Sequence, residues 1–534
     1  MFSAGERILP DLSGNIKWGN SLIGSDFFRG PQATLFDDEE AMLKVKAFDW
    51  DSEAGFGAIM AAGGFDAVIG NPPYIRIQTM IARSADAIRY YKSKFRTAKK
   101  GNYDIYGLFI EHGLNVLRNN GRLSFIVPHR LFKTDYGETI RRMLLKNKSI
   151  VEVRDFDGFM VFDEASINTC ILTLANAADK QHQFLYERLK TSKLSTGEIT
   201  AQLQAPSSEY WERLRVPWNS LTTDYWSFVG KREMAIWNKV NAPTFAKLGH
   251  LCRIFVGLQT SKDKIYVVKQ KGTTEQHYVV ESRFDGEIYE LEKEICRPYL
   301  ARTGVSPYSV PSVGLILIYP YDPNSQLYTK SELAEIAPNS LRYLRKHESE
   351  LRNREKGKFD DNAWYRYGRN QSIGQFDKPK LIVQVISAFN RFAYDANATY
   401  FSGGGNGPYY GLRPVDQRMH ILYFSGLLNG KLHNWIHHKQ ALRTFQTAYS
   451  YGKRFIERLP IRTINFDDPA DVQMHDKMVE LVDEMLDLHR QLPNLTGEGR
   501  RITEALIATV DSEIDALVYK LYGLSEDEVA IVEG

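Results

Sequence analysis

At 534 residues the chain exceeds what one hydrophobic core organises, so two or three domains are expected. Hydrophobic content of 43% and charged content of 25% describe an ordinary globular protein, and neither a run of about 18 apolar residues nor a signal-peptide pattern occurs, which points to a cytoplasmic chain without membrane spans. Cys170, Cys252 and Cys296 are scattered singly, with no paired spacing for a zinc site or a disulfide framework, and a net charge of +3 decides little.

The first 60 residues read as loops and short helices around the segment Gly14 to Ile23. A βα alternation follows. Phe65 to Gly70 is an apolar run expected as a buried strand, and Tyr103 to Arg118 has helical apolar spacing that Asn119-Asn120-Gly121 should stop. Leu123 to Val127 reads as a second buried strand ending at Pro128. Thr139 to Lys146 reads as a basic helix and Ile150 to Arg154 as a third strand. A turn through Phe162, Ala165 and Ser166 leads into a fourth strand, Thr169 to Leu174. Strands separated by helices imply a mostly parallel sheet, with the last two strands as an antiparallel hairpin that closes it. Residues 181–245 read as a linker with helices. From about 246 to 465, short strand-like runs alternate with turn clusters in a segment rich in Tyr, Arg and Asn. Met474 to Leu492 and Ile502 to Tyr522 are amphipathic helices.

The sharpest local signal is Asn71-Pro72-Pro73-Tyr74, directly after the first strand. Two consecutive prolines lock φ and withhold two N–H donors, so the turn is stiff and its carbonyls stay free to accept. The Asn71 side-chain oxygen and the Pro72 carbonyl can both accept from one –NH2 group, which localises the nitrogen lone pair and aims it. Tyr74 adds a flat ring for stacking. The plainer alternative is a strand-ending Pro-Pro turn with a packed tyrosine. A second signal is compositional. From Lys431 to Arg458 the chain carries Lys431, Lys439, Arg443, Lys453, Arg454 and Arg458 with three histidines, and Glu457 is the only acid. Such a face can be a phosphate footprint or simply a solvated surface. The Gly403 to Gly407 run is not a nucleotide-binding turn, because Pro408 and two tyrosines follow it where a helix should begin.

These residues resemble the adenine-specific DNA methyltransferases, and within them the class fused to restriction enzymes (type IIG) with a TaqI-like C-terminal specificity domain. The match rests on Asn71 to Tyr74 after Gly-Gly-Phe-Asp-Ala-Val-Ile-Gly, on Gly14 to Ile23, on Asn102 to Tyr106 and on Gly121 to Pro128. In the second half it rests on Gly257 to Asp263, Leu427 to Lys431 and Pro460-Ile461. The resemblance implies an α/β fold: a partial Rossmann-like methyltransferase sheet over 1–180, the linker over 181–245, a mixed α+β recognition domain over 246–465 and C-terminal helices over 466–534. It implies Asn71, Pro72, Pro73 and Tyr74 as catalytic, with Tyr74 and Phe162 stacking on a flipped adenine. Asn20 and Asp104 would border S-adenosylmethionine, and Lys431, Arg443, Lys453 and Arg454 would bind double-stranded DNA.

One departure stands out. The glycine-rich cofactor turn that this family places upstream of the catalytic motif does not occur in the 70 residues before Asn71. The chain is therefore expected to be the C-terminal part of a longer methyltransferase of a restriction–modification, phage-defence system, with a further polypeptide completing the cofactor pocket. The alternative is a catalytically incomplete DNA-recognition module. A methyltransferase for glutamine or RNA guanine is a third reading, disfavoured by the long aromatic and basic second half.

Overall fold

Residues Phe65–Gly70 (β1) form one edge of a six-stranded sheet in a computed structural model that describes residues 12, 14–29, 45–81, 85–99, 102–162, 167–176, 182–191, 193–302, 304–311, 314–403, 407–444 and 447–534. The chain divides into two units, Met1–Lys231 and Arg232–Gly534. No helix among the described residues is long and apolar enough to cross a membrane.

In the first unit β1 is followed by a helix, Ile105–Asn115 (α1), and by Leu117–Pro128 (β2). Next come Glu138–Asn147 (α2), Ile150–Asp155 (β3), Thr169–Ala175 (β4), Gln183–Leu189 (β5) and Trp211–Pro217 (β6). The strand order is β1-β2-β4-β3-β5-β6. β1 runs parallel to β2, and β3 runs parallel to β5. β4 is antiparallel to both its neighbours, and β6 is antiparallel to β5. The expected α/β class and the antiparallel β3–β4 pairing are both present, but the expected mostly parallel sheet is not, because β4 inserts antiparallel between β2 and β3 and β6 adds antiparallel at the edge.

Helix α1 presents Tyr106, Ile110 and Leu114, and α2 presents Ile140 and Leu144, to one face of this sheet. There they meet Leu123, Phe125 and Val127 of β2 and Cys170, Leu172 and Leu174 of β4. Burying a side chain of this size is worth about 1.5–3 kcal/mol, so this layer fixes which face of β2 points inward. The opposite face holds Ser124, whose hydroxyl meets Thr173 at 3.1 Å, and Arg154, which donates to Glu187 at 2.7 Å.

Three sequence expectations need correction. Helix α1 ends at Asn115, before the Asn-Asn-Gly stop, and Asn119-Asn120-Gly121 instead forms an irregularity inside β2. Asn120 takes the left-handed conformation at φ 64°, and an added Cβ on Gly121 would sit 2.9 Å from the Phe65 carbonyl oxygen. The small residues thus serve a strand bulge. Second, residues 181–231 are no linker, because β5 and β6 extend the first sheet. Phe184, Tyr186, Leu189 and Trp211 are buried, on strands whose polar residues hid the period. Third, β1 holds no fully buried residue. Val68 joins the α1 layer, while Ile69 on the other face is 87% exposed. The expected turn at Ala165 and Ser166 lies outside the described residues.

The second unit holds two larger sheets and a helical layer. The strands of these two sheets, in chain order, are Cys252–Val256 (β7), Val267–Thr273 (β8), His277–Glu281 (β9), Ile288–Glu292 (β10), Cys296–Leu300 (β11), Leu315–Ile318 (β12), Lys380–Gln384 (β13), Phe392–Asp395 (β14), Tyr400–Phe401 (β15) and Tyr409–Pro414 (β16). One sheet runs β10-β9-β8-β12-β11-β15 and the other β14-β13-β16-β7. Its helices include Ile421–Asn429 (α3), Lys431–Gln440 (α4), Lys453–Ile456 (α5), Pro469–Gln491 (α6) and Gly497–Leu521 (α7). Helices α6 and α7 share one core with β7, β13 and β16, through Met478, Val482, Ile514 and Val518 against Ile254, Leu381 and Leu412. The stretch expected as separate C-terminal helices is therefore built into this unit. Lys380 and Asp395 form an ion pair buried between β13 and β14.

Candidate methyltransferase site

The carboxyl ends of parallel strands are where open α/β sheets carry ligands, and the first unit gathers its polar groups there. Asn71 leaves β1 exposed and its side chain makes no hydrogen bond among the described residues. Pro72 is buried beneath it and Pro73 is exposed. Tyr74 is half-buried, and its hydroxyl donates to the Ile126 carbonyl on β2 at 3.1 Å. Its ring meets Tyr106 edge-to-face at a centroid distance of 6.4 Å. Burial, with the Cys170 thiol second, pushes the Tyr74 phenol up to about 12, so it stays a neutral donor at ordinary pH. The ring is thereby anchored at both ends, and little rotamer entropy remains for a stacking partner to remove.

The segment Asn102 to Tyr106 is clipped directly to this corner. The Ile77 amide donates to the Tyr103 carbonyl at 3.0 Å, and the Ile105 amide donates to the Ile75 carbonyl at 2.9 Å. Asp104 precedes α1 in an extended conformation and is buried, and Arg130 Nη2 donates to its carboxylate at 2.7 Å. Tyr103 is buried too, and its hydroxyl has no partner among the described residues. Asn20 lies nearby through a shared core. Leu22, Ile23 and Phe27 pack with Ile77, Tyr103 and Ile105, and Asn20 Oδ1 accepts from the Leu22 amide at 3.2 Å. The structure therefore brings Asn20, Asn71 to Tyr74 and Asp104 around one region of the sheet. Phe162 is half-buried in the chain that follows β3.

Two residues at the strand ends escaped the sequence reading. Arg130 neutralises Asp104, and His129 Nδ1 lies 2.6 Å from Asp155 Oδ2 at the end of β3. Burial alone would raise the Asp155 carboxyl, but the His129 charge, its hydrogen bond and those from the Tyr186 hydroxyl and the Asp157 amide hold it near 2. The available signal was a charged His-Arg pair immediately after an apolar strand that ends in proline.

In the second unit the nominated cations differ among themselves. Lys431 Nζ lies 2.9 Å from Glu533 and 3.5 Å from Asp515. Arg443 lies over the Tyr449 ring at 5.7 Å, and Arg454 over Phe455 at 4.8 Å. Lys453 and Arg454 are exposed on α5. Of the histidines, His433 and His437 are buried, and His438 stacks on Tyr449 at 3.9 Å. The run Gly404 to Asn406 lies outside the described residues.

Residues 12–162 match the Eco57I restriction-modification methylase family. The type II restriction enzyme and methyltransferase RM.Eco57I of Escherichia coli is 28% identical over 545 aligned residues, covering 98% of this chain and 51% of that protein. The type II methyltransferase M.BstVI of Geobacillus stearothermophilus is 22% identical over 351, covering 63% of this chain and 57% of its own length. The chain thus spans about half the length of these curated relatives. Among solved structures, the type IIL restriction-modification enzyme MmeI, determined in complex with DNA, is similar with a TM-score of 0.54 at 12% identity, covering 87% of this chain and 55% of that one. This likeness extends the shared fold from the methylase segment well into the second unit.

Proposed function

We propose that this Eco57I-type chain methylates N6 of an adenine flipped out of double-stranded DNA, within a restriction–modification system. The observation that carries the reading is the exposed Asn71 side chain, unspent on any described residue, above a Pro72 that its neighbours hold in place. An acceptor that must take a ligand's N–H cannot already be bonded to protein, and here the acceptor is left open while the residues around it are fixed.

In this reading the Asn71 oxygen and the Pro72 carbonyl accept the two protons of the adenine amine and turn its lone pair outward. Tyr74, with Phe162 opposite, stacks on the base and recovers roughly 1–3 kcal/mol per stacked ring. That offsets the few kcal/mol spent in unstacking and unpairing. S-adenosylmethionine, when bound, supplies the methyl group. The amine nitrogen attacks before it loses its proton, so positioning carries the rate and no strong base is required at the outset.

Asn20, Tyr103 and Asp104 are the residues of this chain that would border the cofactor. The unpartnered Tyr103 hydroxyl suits a polar ligand, whereas the Asp104 carboxylate is already engaged by Arg130. The remaining contacts would come from a polypeptide segment pairing along β1. Among the described residues β1 has a strand neighbour on one side only, and it leaves Ile69 open on a face that parallel sheets ordinarily cover. The same free edge favours a second reading, a recognition module that needs a partner before it methylates. Calorimetric titration of this chain with S-adenosylmethionine separates the two: binding alone supports the first, and binding only after a complementing polypeptide is added supports the second. Site-specific methylation of duplex DNA tests the activity itself, and a fully complemented enzyme that leaves adenine unmodified would overturn it.

A further inference from the structure

Strand β7 is the outer strand of its sheet, and its free edge lines a cavity of about 490 Å³. Arg253 projects from β7 into this cavity, and Lys453 and Glu457 close it from α5 and the residue after it. Across the strand pair, Arg413 of β16 stands directly opposite Arg253. Opposite residues of an antiparallel pair project from the same face, and like charges there are destabilising. Arg413 donates to the Gln375 carbonyl at 3.2 Å, a neutral acceptor, and neither Arg253 nor Lys453 has an acidic partner among the described residues. Burial, and after it the charge of Arg253, pulls the Arg413 guanidinium below its ordinary value. Arg253 and Lys453 therefore share a recess in which Glu457 is the sole acidic lining residue, and Arg413 stands beside Arg253 across the strand pair. An anionic phosphate would relieve that repulsion, and planar guanidinium forks suit phosphate oxygens better than a point charge does.

We propose that Arg253, Arg413 and Lys453 form a contact site for a backbone phosphate of the DNA duplex, placed along the open edge of β7. The site rests on the DNA-directed reading above but not on adenine methylation. It adds Arg253 and Arg413, which composition did not flag because each is a single cation in an apolar strand.

The test is duplex binding by the full chain, followed by fluorescence anisotropy across a salt series. The double variant Arg253→Gln/Arg413→Gln is compared with Arg490→Gln, a substitution in the exposed last turn of α6. Each lost phosphate contact lowers the slope of log K against log salt by about 0.9. The double variant is therefore expected to lose about 0.9 in slope and to weaken equally on all sequences, while Arg490→Gln leaves both unchanged. An unchanged slope in a double variant with wild-type circular dichroism overturns the site while leaving the DNA reading intact. Absence of duplex binding by the parent chain overturns both. A parent complex displaced by millimolar inorganic phosphate as readily as by competitor DNA reassigns the recess to a free anion and also overturns the proposal.

Discussion

Asn71 in the first unit and Lys431 in the second are both exposed polar residues, yet the two regions treat them oppositely. Around Asn71 the framing contacts are made, Tyr74 on Ile126, Asp104 on Arg130, and the backbone of 75–77 on 103–105, so the open acceptor stands on a rigid frame. Around Lys431 the side chain itself is spent, on Glu533 and Asp515, and the neighbouring histidines are packed into the helical layer. A ligand site needs unsatisfied groups on a satisfied scaffold. The comparison teaches that counting polar residues along a segment does not find one, whereas asking which of them remain unpaired does.

The largest expected effect attacks the scaffold. Replacing Arg130 by Met leaves the buried Asp104 carboxylate unpaired, which costs about 3–5 kcal/mol when one partner of a buried pair is removed. Urea unfolding should register the loss in the first unit, and a cost below about 1 kcal/mol would mean that Asp104 is not held as described.

Next comes a pH dependence that centres on His433 in the second unit. Burial holds His433 down near 4, against an ordinary 6.5, although its hydrogen bond to the Pro460 carbonyl opposes the shift. Its folded-state pKa is depressed, so its contribution is fully present above about 6.5 and is lost as pH falls towards 4, because the unfolded chain takes the proton first. The expected loss is roughly 3 kcal/mol over that window. Denaturant midpoints measured from pH 7 to pH 4 should fall accordingly, and a His433→Phe variant should flatten the curve. An identical fall in that variant would assign the effect elsewhere.

A smaller effect in energy, but the decisive one for function, concerns Asn71. Its substitution by Ala removes one of the two acceptors for the amine, and methyl transfer in a complemented enzyme should drop at least tenfold, about 1.4 kcal/mol in the barrier. Duplex affinity and unfolding midpoint should hold, since the side chain contacts no described residue. Methylation at the parent rate would refute the role given to this corner.

Lys431→Ala should do least. Its exposed ion pair with Glu533 is worth no more than about 1 kcal/mol, and the salt dependence of DNA binding should stay as it is. A slope reduced by about 0.9 would show that Lys431 leaves its carboxylates for phosphate, and would erase the contrast drawn with Asn71.

The amino-acid sequence by itself determined the pieces whose physics is local. The apolar runs of β1 to β4, the helices between them and the proline-stiffened turn at Asn71 to Tyr74 all follow from neighbouring residues, because side-chain period and fixed φ act over a few positions. Tertiary structure alone decided what required distant partners. That Arg130 neutralises Asp104, that β5 and β6 continue the first sheet, that Lys431 meets Glu533, and that Arg253 faces Arg413 are pairings across 26, 102 or 160 positions of chain or between whole strands. No spacing rule reaches that far: burial and charge pairing are settled only when the fold brings the surfaces together, and whether a polar atom stays free is a property of those surfaces.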